Sequence, residues 1–106
     1  MEADKKDKNK PRLGLVPSSL IWAVAEIMTD AVRSGKYEAH NWRKGMPWST
    51  AYDALQRHLT DWNESKTLDK DSGKSHLWHA ACELAFLIEY EQREVGRDDR
   101  YKPEQN

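Results

Sequence analysis

The chain has 106 residues, of which 33% are charged and 38% hydrophobic, with a formal charge of −1. That is a single domain with a small core: too short for two domains, too rich in Trp, Tyr and Leu/Ile clusters for wholesale disorder, and too nearly neutral to be drawn to nucleic acid or an anionic membrane by bulk electrostatics. A lone cysteine, Cys82, excludes an internal disulfide and a cysteine-based zinc site. No apolar run approaches the ~18 residues that span a bilayer, and the charged start lacks the apolar stretch of a signal peptide, so a cytoplasmic location is expected.

Residues 1–10 read as a charged, solvated tail, residues 11–93 as one domain, and residues 94–106 as a second charged tail that frays. Pro11 and Pro17 bracket a short piece, Arg12-Leu13-Gly14-Leu15-Val16, expected to be extended. A first helix is predicted over 19–33, started by Pro17, Ser18 and Ser19 and stopped by Gly35, with Leu20, Ala23, Val24, Ile27 and Ala31 recurring at helical spacing. The next segment, 36–48, interleaves Lys36, Arg43 and Lys44 with Tyr37, Trp42 and Trp48, and Gly45 and Pro47 argue against a regular element there. Ser49 or Thr50 caps a second helix, Thr50 and Asp53 approximating a capping box, with Ala51, Leu55, Leu59 and Trp62 as its apolar stripe to about residue 64. A polar loop leads to Ser75, which caps a third helix to about residue 91. Its core-facing stripe is read as Leu77, Ala80, Ala81, Leu84, Leu87 and Ile88. The fold class is all-α: a three-helix unit with a thin core, expected to complete its bundle by homo-oligomerisation.

Two groups of residues could carry chemistry. His76 and His79 share one face of the third helix, offset from the apolar stripe. His58 lies on the second helix, and antiparallel packing of the two helices would let all three imidazoles converge, with Asp69 and Asp71 in the loop between. Imidazole with carboxylate suits Mn, Fe, Co, Ni or Zn, whereas pure carboxylate would suit Mg better. The bland alternative, two histidines packed or solvated on a helix surface, is the commoner meaning of a single His-x-x-His. Asp53 and Arg57, four apart, form an intrahelical ion pair or, more sharply, Asp53 orients Arg57 or His58. Asp69-x-Asp71-x-Gly73 is not an EF-hand, because the Gly comes one place early and the twelfth place is Ala80. Glu91-x-x-Glu94 reads as a solvated face. The second group is the loop. Lys36, Arg43 and Lys44 offer charge for a polyphosphate, Tyr37, Trp42 and Trp48 flat surfaces for a base, and Asn41 a donor and acceptor for a base edge or sugar. Each residue alone reads more simply as core closure or solvated charge; the interleaving makes the group suggestive.

Lys36-Tyr37, His40-Asn41-Trp42-Arg43, Tyr52-Asp53-Ala54, Arg57-His58-Leu59, Trp62, Asp69-x-Asp71-Ser72-Gly73 and His76-Leu77-x-His79-Ala80 together resemble the phage-associated dATP/dGTP diphosphohydrolase family, which is placed with the MazG-like all-α nucleoside triphosphate pyrophosphohydrolases. The resemblance spans about residues 10–90. It implies hydrolysis of a purine deoxynucleoside triphosphate to monophosphate and pyrophosphate in phage nucleotide-pool metabolism, in the host cytoplasm, with a divalent metal (Mn, Mg, Co or Zn). Carried over by position, His58, His76, His79 and Asp53 would hold the metal. Asp69, Asp71 and Arg57 would be catalytic, and Lys36, Tyr37, Asn41, Trp42, Arg43 and Lys44 would bind the nucleotide. A carboxylate or an unliganded histidine would serve as general base, Lys36, Arg43 or Arg57 would stabilise the departing pyrophosphate, and Tyr37 or Trp42 would stack the purine. The chain departs from the pattern at Ser65-Lys66, where Gly-Glu is usual, and lacks Pro at Lys70 and Ser75. It also lacks the Glu-x-x-Glu and Glu-x-x-Asp pairs of MazG proteins. The competing function is a non-catalytic nucleotide-binding or host-interaction protein; a single-strand nucleic-acid binder is the weaker third reading.

Overall fold

The computed structural model describes residue 3 and residues 8–104, so most of the tail read over 1–10 lies outside the described residues. Three helices carry the fold: α1 (Ser18–Arg33), α2 (Trp48–Asn63) and α3 (His76–Arg93), with no strand among the described residues. The all-α expectation holds. Ser75 caps α3 as read from the sequence, its Oγ accepting a hydrogen bond from the Leu77 amide at 3.1 Å. The other two helices begin directly after Pro17 and Pro47, neither with a cap from its own flanking side chain. Thr50 is already inside α2, so the Thr50/Asp53 capping box does not form.

Two segments read as irregular contain a turn of 3-10 helix, Leu13–Leu15 and Asn41–Lys44. Such a turn needs only i to i+3 bonds, here Val16 N to Leu13 O at 3.1 Å and Gly45 N to Trp42 O at 3.1 Å. Gly45 and Pro47 therefore limit the second turn without preventing it.

α2 and α3 pack antiparallel: His58 of α2 meets His76 at the start of α3, while Trp48, opening α2, donates its indole N–H to the Val95 carbonyl just past α3 at 2.8 Å. α1 packs on α3 and not on α2. The core is made of small residues and one large one, Ala23, Ala51, Ala80, Cys82 and Tyr90. The buried residues of α3 are His76, Ala80, Cys82 and Tyr90; of the expected stripe Ala80 is buried and Ala81 and Leu87 half-buried, while Leu77, Leu84 and Ile88 are 40–50% exposed. α3 thus turns a mixed face, not its most apolar one, toward its neighbours.

The stretch from residue 94, read as a frayed tail, folds back over the start of α2. Trp48 N donates to Arg97 O at 2.9 Å and Arg97 N to Met46 O at 3.3 Å. Asp99 then caps α2 from fifty residues away, accepting from Ser49 N at 2.9 Å and from Ser49 Oγ at 2.6 Å. This remote carboxylate supplies what Pro47 cannot. The two chain segments touch at glycines: Gly96 has φ +80 and a Cβ there would collide with the Met46 carbonyl oxygen, while a Cβ on Gly45 would lie 2.6 Å from Gly96 N.

Gly96→Ala should therefore destabilise the fold by more than about 1 kcal/mol, read as a lower urea midpoint. Gly14→Ala, where an added Cβ meets nothing within 4 Å, should leave the midpoint unchanged. Equal midpoints for wild type and Gly96→Ala would show that the return segment is not clamped.

Candidate functional site

Where α2 ends and α3 begins, three histidines meet. His58 Nδ1 and His76 Nδ1 are 2.9 Å apart, a spacing that requires one ring to carry its proton on Nδ1 and the other to leave that nitrogen free. The His79 ring lies flat on His58, centroids 4.6 Å apart and planes 11° off parallel. His76 is 5% exposed, and its Nε2 faces Asp61 Oδ2 at 4.0 Å. The loop from α2 to α3 brings in Asp69. A bridge between Leu68 and Ser75, with Asp69 N to Lys74 O at 2.8 Å and His76 N to Thr67 O at 3.0 Å, closes that loop, and Gly73, at φ +73, makes its turn. Ser72 holds Asp69 through a backbone bond to Oδ2 at 2.9 Å and touches His79 Nε2 with its hydroxyl at 2.7 Å. Asp69 Oδ2 is 3.8 Å from the same His79 nitrogen.

Burial, helped by the neighbouring imidazoles, lowers the pKa of His58; burial also lowers that of His79, against the pull of Asp69. Both rings are thus held neutral, the form that ligates metals. Burial would raise Asp69, but the Ser72 bonds and the nearby histidines outweigh it and keep the carboxyl below its usual range. One ligand atom each from His58, Asp69 and His76 can lie within 4.8 Å of one another. Two imidazoles and a carboxylate drawn from two helices and their connecting loop form a donor set that fits a borderline divalent ion such as Mn, Co or Zn.

Beside this group opens a cleft of about 1110 Å³, walled by α1, the 36–42 loop, α2 and α3. It exists because α1 and α2 do not touch. Of the sequence-selected residues, Lys36, Tyr37, Asn41, Trp42, Arg57, Asp69, Asp71 and His79 line it. Tyr37 is 47% exposed there, with the Lys36 ammonium 5.4 Å from its ring centre. Trp42 has its faces taken: it stacks on Phe86 at 4.8 Å, the Arg43 guanidinium covers it at 4.6 Å, and its carbonyl accepts the Tyr90 hydroxyl bond at 2.6 Å. The packing role weighed for Trp42 from sequence is the one observed. Arg43 is engaged locally, donating to His40 Nδ1 at 2.9 Å and lying 3.7 Å from Glu89. Neither Arg43 nor Lys44 lines the cleft. Asp53 is not with the histidines; it lines a shallower recess with Tyr52, Gln56, Arg57, Thr60 and Asp61. Trp48 belongs to the clamp over the start of α2, under the Arg100 guanidinium. Lys66, at the departure noted in the sequence, lies 3.7 Å from Asp61 and 3.5 Å from Glu64.

Asp61, three places after His58 in the sequence, comes to lie beside His76. Three further acidic residues of the site region, Glu26, Asp30 and Glu83, were not picked out from the sequence. Glu26 and Asp30 of α1 hold Lys74 at 2.8 and 3.9 Å and so tie α1 to the start of α3; nothing local announces that tie. Glu83 lies on the cleft wall with Arg57, and its signal was available, since it follows His76 and Ala80 at helical spacing on the buried side of α3.

The chain matches, over residues 1–100, the family described as dATP/dGTP diphosphohydrolase, N-terminal. It is 30% identical over 100 residues to a dATP/dGTP diphosphohydrolase of Salmonella phage PMBT28, an alignment covering 94% of this chain and 33% of that protein. The chain therefore spans about a third of the length of that curated relative. No solved structure matches. Among the described residues no helix is long and apolar enough to cross a membrane.

Because burial favours the uncharged rings, His58 and His79 should titrate below the usual imidazole value of about 6.5. Proton NMR of the imidazole C2–H signals, assigned with His58→Asn and His79→Asn, should show both rings still mostly neutral at that pH. Midpoints at or above it would contradict the buried, neutral arrangement.

Proposed function

Since the chain belongs to the family of dATP/dGTP diphosphohydrolase N-terminal domains, we propose that it binds a purine deoxynucleoside triphosphate in the cleft beside the histidines and hydrolyses it to monophosphate and pyrophosphate. The observation that carries this reading is the convergence of His58, His76 and Asp69 at the edge of a cleft that Lys36, Tyr37, Asn41 and Arg57 line. The name of the phage relative supplies the substrate class; the residues supply the means.

His58, His76 and Asp69 would hold a divalent ion, which when bound neutralises phosphate oxygens and makes a coordinated water more acidic. Asp61, facing the outer nitrogen of His76, orients that ring. Ser72 fixes both Asp69 and His79, so the donor atoms are in place before substrate arrives. Asp71 lines the cleft close by and is the carboxylate available to take the proton of the attacking water. Arg57 and Lys36 balance the charge on the departing pyrophosphate. Tyr37, exposed on the cleft wall, offers the face on which the purine stacks, and Asn41 can hydrogen-bond to sugar or base. A second reading, nucleotide binding without turnover, draws on one observation: the Lys66 ammonium sits against Asp61, bringing positive charge toward the place where the ion would bind.

Incubation with dGTP or dATP and Mn²⁺ should release pyrophosphate, and His58→Ala or His76→Ala should lower the rate by at least about a hundredfold. Lys44→Ala, off the cleft, should leave it unchanged. Nucleotide binding without release of pyrophosphate under Mn, Co, Zn or Mg would favour the second reading.

A further inference from the structure

The cleft wall carries a half-buried carboxyl group that the reaction above does not use. Glu83 lies in the middle of α3, between the histidine end and the Tyr90 end, and lines the cleft with Cys82, Phe86 and Arg57. Among the described residues no side chain hydrogen-bonds to Glu83, and the Arg57 charge is the one that acts on it. Half-buried on the cleft wall, this carboxyl keeps access to the cleft, where a ligand can supply the hydrogen-bond partners that the protein does not. It stands seven residues beyond His76, about 10 Å along the helix axis, so a phosphate held near the histidines would present its base to this part of the wall. Tyr37 and Asn41 of the facing loop line the same cleft.

We propose that Glu83 reads the purine, hydrogen-bonding to N–H groups on the base edge and so setting the choice between guanine and adenine. This rests on the nucleotide-binding reading above. Guanine presents two adjacent donors, N1–H and the 2-amino group, which an ionised carboxylate accepts together. Adenine presents one donor, the 6-amino group, beside the N1 acceptor, which a neutral carboxylic acid matches by accepting one bond and donating the other. Burial pushes the Glu83 carboxyl up to about 7, with Arg57 pulling the other way, so both forms are present near neutrality. Cys82 and Tyr90 are its ionisable neighbours on α3, and Asp30 and Arg33 of α1 with Lys36 and Glu38 of the loop line the same cleft. Deprotonation as pH rises moves the preference toward guanine.

The test compares dGTP with dATP turnover under Mn²⁺, and dGMP with dAMP binding by calorimetry, at about pH 6 and pH 8 for wild type, Glu83→Gln and Glu83→Ala. The wild-type guanine-to-adenine ratio should rise with pH. In Glu83→Gln, whose amide copies the neutral acid, it should fall at least about tenfold at the higher pH and lose its pH dependence. Glu83→Ala should bring the ratio close to one at both pH values. A ratio unmoved by either folded variant would overturn the assignment and leave the hydrolase reading standing. If the variants do not fold, a wild-type ratio flat in pH would overturn it and a rising one would support it. A guanine preference in monophosphate binding that Glu83→Gln removes, in a protein with no turnover, would support the assignment and overturn the hydrolase reading. Failure to turn over either triphosphate together with failure to bind either monophosphate would overturn both.

Discussion

The contact on which the structure turns is the antiparallel packing of α2 on α3. Ala51 and Ala80 are buried, and such small side chains let two helix backbones approach closely. A residue on α2 is then set opposite a definite residue on α3, and near the connecting loop those residues are His58 and His76. Two imidazoles with their Nδ1 atoms at hydrogen-bonding distance are a poor choice for stability alone, because each brings polar atoms that must be satisfied away from water. They satisfy each other with a single proton, and the loop that closes the hairpin returns Asp69 to the same spot. The opposite end of the pair is held by other means: Tyr90 is fully buried under the Trp42 carbonyl, and the segment after α3 caps α2 through Asp99. With both ends fixed, the helices have little freedom to slide.

The second constraint is that α1 rests on α3 and does not reach α2. A closed three-helix bundle would fill the space between α1 and α2 with side chains. Here that space is the cleft, and α3 serves both sides of it, offering His76 to α2 and His79, Cys82, Glu83 and Phe86 to the opening. Lys74, bonded to Glu26 and near Asp30, keeps α1 anchored at the histidine end. The core is correspondingly small, and Trp42 helps to close it, stacked on Phe86 and covered by the Arg43 guanidinium.

Much of this was legible from sequence. Helical spacing gave three helices and put His76 and His79 together, and the short polar connection after the second helix called for an antiparallel partner, which brings in His58. Reading hydrophobicity alone failed on α3. Leu77, Leu84 and Ile88 make the more apolar stripe, yet the buried residues are His76, Ala80, Cys82 and Tyr90, because the site itself supplies the residues at that packing surface. For the same reason Glu83 escaped notice: a charge on a helix is read as solvated until the partner helix is known. The return of Asp99 to Ser49 joins residues fifty apart and has no local signature. Arg43 and Lys44 were grouped with Lys36 by proximity in the chain, but they lie in the 3-10 turn Asn41–Lys44, Arg43 is engaged by His40 and Glu89, and only Lys36 of the three lines the cleft.

Crystals grown with Mn²⁺ and a non-hydrolysable deoxyguanosine triphosphate analogue, measured for anomalous scattering, test the central claim most directly. The account predicts a peak bonded to His58, His76 and Asp69 at about 2.2 Å, with the analogue lying in the cleft between α1 and α2. A metal bound elsewhere, with the His58 and His76 rings still hydrogen-bonded to each other, would contradict it.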